Sequence, residues 1–514
     1  MNIFLKNKLK KIFKTKHIDY LLVNSTNQWL EETPDIKESS VYKLTGFKGD
    51  TGDVLIDKNL NCYLFIDGRY HIQAENETKK FVKIIKLQAG QNQDIEISKI
   101  IDNNSNFGIF SKKISYARFE RIKTLLKEKN INFIFFDNDF INNYDVKKDK
   151  NYKKTGCKPR KINFSKSIFI SNLEQVSYLT QYRSFKKEGS SKIYAKLFID
   201  KNNKQTLFKN NKQLKKFFKN YNEGVYIEKN ISMYDFNLIK KPIFEDLKIN
   251  EIKSIKTNEE INALKKAFKI SDKSLIEVRD FINKNDNLTE YDIYKKLTSC
   301  FFKNGATGLS FKPIVAINQN SASAHYNKFS KKVKLKNGDI VLIDCGVYTK
   351  EGLATDTTRV FVKESPSDLQ KKVYTNVLKV FLNCYKNENK TGYELNKMAH
   401  DILDKKIKAS KKVDDFFVFN HGLGHGIGVS VHENPPSLSF GESAKKQFQK
   451  NMCFTIEPGL YHKNHFGIRL ENSFYRYNNK NISFTKIGFE KKMIIFEYLT
   501  NDEKKLLKKF KLLD

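Results

Sequence analysis

Four carboxylates and one imidazole stand out in the last third of this 514-residue chain: Asp344, Asp356, His425, Glu457 and Glu471. They fall in four short segments, LIDCGVYTKEGLATDTTR at 342–359, HGLGHGIGVSVHENPP at 421–436, TIEPGLY at 455–461 and GIRLEN at 467–472. Carboxylate oxygens are hard ligands that can bridge two cations, and imidazole adds one neutral nitrogen, so the set suits a pair of divalent metals. Two such metals lower the pKa of a water held between them and make a nucleophile available at neutral pH, which is the chemistry of hydrolysis.

The surrounding sequence must bring these groups together. Asp344 and Asp356 lie on two apolar strands joined by a polar turn around Lys350, Glu351 and Gly352. A hairpin can present both carboxylates on one face. His425 sits among glycines, which allow the backbone a tight path. Glu457 ends a strand that Pro458 stops, and Glu471 follows on what reads as the return strand of a second hairpin. Each feature alone has an ordinary structural reading, as a turn aspartate, a loop histidine or a strand end. Together they do not: seven of the nine histidines lie after position 324, and three of those fall between 421 and 432. They sit beside carboxylates in apolar strands, where unpaired charge is costly. Cys345 follows a proposed ligand directly and points to the opposite strand face, as core filler.

Further back, the chain is long enough for two or three domains. A weak internal repeat relates 20–30 and 43–70 to 168–208: an apolar strand, a polar helix start, LTGF or LTQY, then two strands around IDKNLNCYLF or IDKNNKQTLF. Asp-Lys-Asn turns of this kind are hairpin chemistry. The expected division is an α/β domain over 1–150, a related α/β domain over 160–252 and an α+β domain over 255–514, with the basic stretch 147–166 as linker. Thr257 and Glu260 have capping-box spacing at the start of a long helix over 256–282. A second helix is expected over 288–305 and a third over 366–386, with strands at 313–318, 339–348, 358–362 and 452–458, mostly antiparallel.

The formal charge is +36, but the excess is mostly lysine spread along the chain, with abundant Asn, Ile and Phe. Those residues have A/T-rich codons, so genome composition accounts for them and no specific nucleic-acid site is expected. Six scattered cysteines without CxxC spacing are not a disulfide scaffold and suit a reducing compartment. No stretch is apolar enough to span a membrane. Residues 1–23 lack a signal-peptide core, and Ile3, Phe4, Leu5, Leu9, Ile12 and Phe13 recur at helical spacing, as in a structural first helix.

With these motifs in hand, the chain resembles the Xaa-Pro aminopeptidases of the pita-bread metallopeptidases, in the three-domain form. The resemblance runs end to end: LTGFKGDTG at 44–52, DGRY at 67–70, GLSFKPIVAINQNSASAHY at 308–326, the three ligand segments from 421 onward, and the C-terminal YLTNDEKKLLKKF at 498–510. It implies two creatinase-like α/β domains followed by a pita-bread α+β catalytic domain. It also implies that Asp344 and Asp356 ligate one metal, that Asp356 and Glu471 bridge, and that His425 and Glu457 complete the second site. The implied activity is release of the first residue from peptides with proline second, by attack of water activated between the metals. Glu457 would shuttle the proton, His432 would support the oxyanion, and His325 and His421 would line the substrate pocket, while Arg469 would fix the site's geometry or the peptide downstream; His421 and Arg469 alternatively serve only as structure behind the ligands. The implied metal is manganese, with zinc or cobalt as alternatives, and the implied setting is a cytoplasmic homodimer. The two aspartates are twelve positions apart, one more than the family's usual spacing, so the extra residue is expected in the hairpin turn, for example as a bulge. A proline dipeptidase or a methionine aminopeptidase would use the same ligands. A non-catalytic pita-bread binding module would not need them.

Overall fold

The computed structural model describes residues 3–88, 90–142, 144, 151–155, 157–404, 406–412 and 414–514. The chain forms two compact units; most of the first 247 residues make one, and 151–161, 177–193 and 248–514 make the other.

In the first unit the repeat seen in the sequence becomes a repeat of topology. Tyr20–Val23 pairs antiparallel with Asp53–Asp57, which pairs antiparallel with Cys62–Ile66. On its other side Tyr20–Val23 runs parallel to Asn106–Phe110, and that strand parallel to Asn132–Phe136. The second sheet repeats this arrangement around Ile168–Ile170. Lys196–Ile199 and Gln205–Phe208 form the antiparallel arm, and Val225–Ile227 and Pro242–Phe244 the parallel one. The first sheet alone adds an edge strand, Val82–Lys86. The helix Ile3–Thr15 lays Leu5, Leu9 and Phe13 into the core below the first sheet, whereas Ile3 and Phe4, counted in the same apolar pattern, stay exposed. Of the expected linker 147–166, residues 147–150 and 156 lie outside the described residues. Lys153–Lys154 pairs with Tyr182–Arg183 inside the second unit, so this part is more than a tether.

The second unit builds two helix pairs, each followed by antiparallel strands. Asn258–Lys284 begins at the expected capping box of Thr257 and Glu260, and Glu290–Lys303 follows. Asp368–Lys386 and Gly392–Leu403 form the second pair, each also opened by a capping box. A three-stranded sheet, Ile314–Ile317, Ile340–Cys345 and Thr357–Val362, has a core on each face. Val341, Ile343 and Cys345 pack toward the first helix pair, and Ile340 and Leu342 toward the second. The alternation therefore places Cys345 in the core and Asp344 on the opposite face, as its sequence position requires. A five-stranded sheet, ordered Glu433–Leu438, Gly424–Gly426, Cys453–Ile456, Asn472–Tyr477 and Lys480–Ser483, supplies the other ligand-bearing elements. Among the described residues every strand pair of this unit is antiparallel except Phe489–Glu490 with Leu512–Leu513.

The run 339–348 reads as one strand and is two. At Gly346 an added Cβ would stand 1.9 Å from the Thr355 carbonyl oxygen, so only glycine lets the chain turn here. Beyond it Val347–Tyr348 pairs with Gly308–Leu309.

Candidate active site

The hairpin settles where the long aspartate spacing goes. Pairing runs unbroken from Ile340 opposite Val362 to Cys345 opposite Thr357, with no bulge. The extra length lies wholly in the connection 346–356, where Gly352 takes φ 68°. Asp344 stands across from Thr358, so the alternation of side chains gives Asp356 and Asp344 one face.

Glu457 and Glu471 come from a second hairpin whose register continues through the site. Ile456 pairs with Asn472 below the two glutamates and Gly459 with Arg469 above them. At the glutamates themselves the backbones bond elsewhere. The Glu457 amide donates to Leu423 O (2.8 Å) and the Glu471 amide to Thr358 O (3.2 Å), which ties this hairpin to the segments that carry His425 and Asp356.

His425 is centred in Gly424–Gly426. Neither flanking glycine is needed for positive φ; each is needed for room. A Cβ on Gly424 would lie 2.2 Å from Thr455 O, and one on Gly426 2.5 Å from Glu433 O. The backbone thus threads between two strands, and the His425 ring reaches Asp356 (Nε2 to Oδ2, 3.5 Å) and Glu457 (Nε2 to Oε1, 3.4 Å). Its Nδ1 lies 3.1 Å from Gly426 O. A carbonyl only accepts, so Nδ1 carries the proton and, in the neutral ring, Nε2 turns a lone pair toward the carboxylates. Lone pairs facing anions make sense around a cation, and an outer N–H on a backbone carbonyl is how metal-binding histidines are oriented.

One ligand atom each from Asp356, His425 and Glu471 falls within 4.8 Å of the others. Three carboxylate oxygens, Asp344 Oδ1, Asp356 Oδ1 and Glu471 Oε1, are buried without a hydrogen-bond partner. Burial, reinforced by Glu471, Asp344 and Glu457, pushes the Asp356 carboxyl well above the ordinary range despite Arg469. Burial, then Glu457 and Asp344, does the same to Glu471, against Thr358 and Arg469. Buried oxygens without donors and carboxylates that resist shared ionisation are the signature of a site designed for divalent cations, which would reverse both penalties. The donor set fits the metal pair expected from the sequence.

Arg469 frames the site from beneath. It is 2% exposed and donates to Asp344 Oδ2 (2.5 Å), Thr358 Oγ1 (3.1 Å), Tyr461 Oη (2.7 Å) and Ala324 O (3.3 Å). Tyr461 Oη in turn lies 2.8 Å from His421 Nε2, while His421 Nδ1 faces Gly422 O at 2.8 Å. The neutral His421 ring is therefore protonated on Nδ1 and accepts from the tyrosine. His325 follows Ala324, the carbonyl that Arg469 holds. The His432 ring stands edge-on to His425, centroids 4.2 Å apart.

Three contributors escaped the sequence reading. Thr358 Oγ1 donates to Glu471 Oε2 (2.7 Å); its place two residues past Asp356 on the same strand face was the available signal. Tyr461 joins His421 to Arg469. Arg359, fully buried, spends its donors on backbone and amide oxygens, including Glu471 O (2.7 Å) and Thr358 O (2.8 Å), clamping the two ligand-bearing strands together.

A pita-bread unit with this donor set defines a metallopeptidase, and the chain belongs to metallopeptidase family M24. Residues 262–475 match that family and residues 6–140 match the Creatinase/Prolidase N-terminal domain. A Methanocaldococcus jannaschii peptidase is 34% identical over 53% of this chain and 74% of its own length. The chain is, more narrowly, a homologue of Xaa-Pro aminopeptidases: Xaa-Pro aminopeptidase 1 of Dictyostelium discoideum is 27% identical over 96% of this chain and 90% of that protein. The Xaa-Pro dipeptidase of Pyrococcus furiosus is 30% identical but aligns with only 44% of this chain and 61% of its own. The fold is that of an X-prolyl aminopeptidase from Caenorhabditis elegans, described as a cytosolic enzyme with a di-nuclear active site; the TM-score is 0.84 at 17% identity, over 98% of this chain and 94% of that one. Two related creatinase-like α/β domains followed by a pita-bread α+β domain is thus the architecture. Among the described residues no helix is long and apolar enough to cross a membrane.

Proposed function

We propose that this chain is a dinuclear metal-dependent aminopeptidase that removes the first residue from peptides with proline in second position. The observation that carries the metal chemistry is the trio of buried, unpartnered carboxylate oxygens on Asp344, Asp356 and Glu471. What favours an aminopeptidase over a proline dipeptidase is agreement along almost the whole chain with an Xaa-Pro aminopeptidase, both α/β repeats included.

In this reading Asp344, Asp356, His425, Glu457 and Glu471 would hold the two ions, and Asp356 and Glu471 would be the ligands common to both. The ions, once bound, supply Lewis acidity and a water of lowered pKa. Glu457 accepts a proton from the attacking water and passes it to the departing proline nitrogen. His432 donates a hydrogen bond where negative charge develops on the carbonyl oxygen. His325 and His421 line the peptide's path. Arg469 is a positioning residue rather than a substrate contact, because its guanidinium is already committed to Asp344, Thr358 and Tyr461. Manganese suits an oxygen-rich donor set with one imidazole, ahead of zinc or cobalt. Six buried free cysteines suit the cytosol. A homodimer rests on the family resemblance alone and is checked by sizing.

The decisive test is release of arginine from Arg-Pro-Pro with and without a chelator. Chelator-sensitive release supports the proposal. Turnover confined to dipeptides would make the protein a proline dipeptidase, and no release under any metal would favour a non-catalytic binding module.

A further inference from the structure

His432 is given its place by a neighbour that the reaction itself does not use. Glu433 is 3% exposed and turns its carboxylate back under the loop that leads to His432. One oxygen, Oε1, accepts from the Val429 amide (2.7 Å) and the Ser430 amide (3.3 Å). The other, Oε2, pairs with Lys253 Nζ (2.9 Å) and Lys256 Nζ (3.1 Å), both buried. Lys253 lies in the last turn of the helix Ile249–Ser254, and Lys256 Nζ also donates to Lys253 O (2.8 Å). Gly428 has no side chain because a Cβ there would stand 2.3 Å from this carboxylate.

The far side of the same loop is held as well. Val429 O accepts from Tyr348 Oη (3.0 Å) and Ser191 Oγ (3.1 Å), and Gly428 O accepts from the Ala354 amide (2.7 Å). Tyr348 and Ala354 belong to the connection between Asp344 and Asp356. The loop 428–433 is therefore pinned between that connection and a buried two-lysine clamp, and His432 emerges at its end beside His425.

The geometry points to Glu433 as a positioning residue that, anchored by Lys253 and Lys256, fixes the 428–433 loop and so aims His432 at the reacting carbonyl. This rests on the role given to His432 above. A buried carboxylate with two ammonium partners and two backbone donors is a stiff anchor: each bond is charge-assisted, and no solvent competes. Burial alone would raise the carboxyl pKa, but Lys253 and Lys256 outweigh it and hold the group at about 2, so it stays an anion throughout the working range.

The test uses the full chain. Histidine-labelled protein, with and without zinc, gives ring ¹H–¹⁵N signals, and His432 is assigned by its loss in His432→Asn. Glu433→Gln is expected to shift or broaden the His432 signal while leaving the His421 signal in place and two metals bound. In steady state Glu433→Gln should lower kcat about 100-fold with KM within about threefold, the pattern of a misplaced transition-state group. Glu433→Gln added to His432→Ala should cost nothing more, because it acts through that ring. Should Glu433→Gln alone misfold from its stranded ammoniums, Glu433→Gln/Lys256→Met carries the same readouts with one charge fewer. An unmoved His432 signal, or full additivity of the two substitutions, overturns the proposal while leaving His432 catalytic. If His432→Ala itself turns over at the wild-type rate, the role given to His432 falls and this inference with it.

Discussion

Arg469 reaches across from the strand Gly467–Arg469 to hold Asp344 on the three-stranded sheet, Nη2 to Oδ2 at 2.5 Å. That single bond orients a ligand whose other oxygen, Oδ1, is left buried and unpartnered. It also places a permanent positive charge under four carboxylates. Arg469→Met should therefore lower metal affinity or activity by about 10- to 100-fold, as loss of an outer-shell partner does. It should also cost about 3–5 kcal/mol of unfolding free energy, because one half of a buried pair is left behind. Denaturant melts and metal titration check both; a variant with native affinity would mean Asp344 is oriented by something else.

Asp356 and Glu471 should behave oppositely with and without metal. Asp356→Ala or Glu471→Ala should abolish turnover. Yet in chelator at neutral pH either variant should melt no lower than the wild type, because each removes a buried carboxylate from a like-charged cluster. Full turnover in either variant would refute the shared-ligand assignment, and a clearly lower melt of the chelated variant would refute the electrostatic account.

The same two groups set a pH trend. Their folded-state pKa values are raised, so their contribution to the metal-free fold is complete below the ordinary carboxylate range and is lost as pH rises through the raised values. Metal binding requires the ionised form and releases protons. The gap in melting temperature between manganese-loaded and chelated protein should thus widen from about pH 5 to about pH 8. A gap independent of pH would show that these carboxyls are already ionised in the metal-free fold.

Much of this was legible in the sequence because it is written locally. Strand alternation separates Asp344 from Cys345, and the capping box at Thr257 and Glu260 opens its helix where expected. The repeated hairpin turns forecast two sheets of one topology. What was not legible depends on contacts between distant segments. Nothing near Gly346 announces that the Thr355 carbonyl will approach it, and nothing near Glu457 says that its hairpin keeps register through Pro458 while its own amide leaves for Leu423. The segment 177–193, which follows the second repeat's first strand in sequence, packs in the catalytic unit, where Ser191 Oγ holds Gly352 O at 2.8 Å.

Gly424 offers a steric test of how His425 is delivered. Its missing Cβ leaves space for Thr455 O, which would otherwise be 2.2 Å away. Backbone oxygen in a central strand cannot retreat as a flexible side chain can. Gly424→Ala should cost about 1–3 kcal/mol from overpacking and lose most metal binding as His425 is displaced. Gly441→Ala, where the nearest atom is 3.4 Å away, should do neither. Equal metal titrations for the two variants would show that the close approach at Gly424 does not matter to the ligand.

Glu433 should give the acid limb of stability. Burial opposes its charge, but the two lysines hold its pKa at about 2 against an ordinary value of 4.5. A depressed carboxyl stabilises the fold above its unfolded pKa and loses that contribution as pH falls through the folded one. The difference in unfolding free energy between wild type and Glu433→Gln, both in chelator, should be level above about pH 4.5 and shrink by about 3 kcal/mol on descent to pH 2. Asp356 and Glu471 cannot produce this trend: their raised values act at higher pH and in the opposite direction, and both groups are common to the two proteins. A difference that stays constant down to pH 2 would mean Lys253 and Lys256 do not hold Glu433 as an anion in the fold.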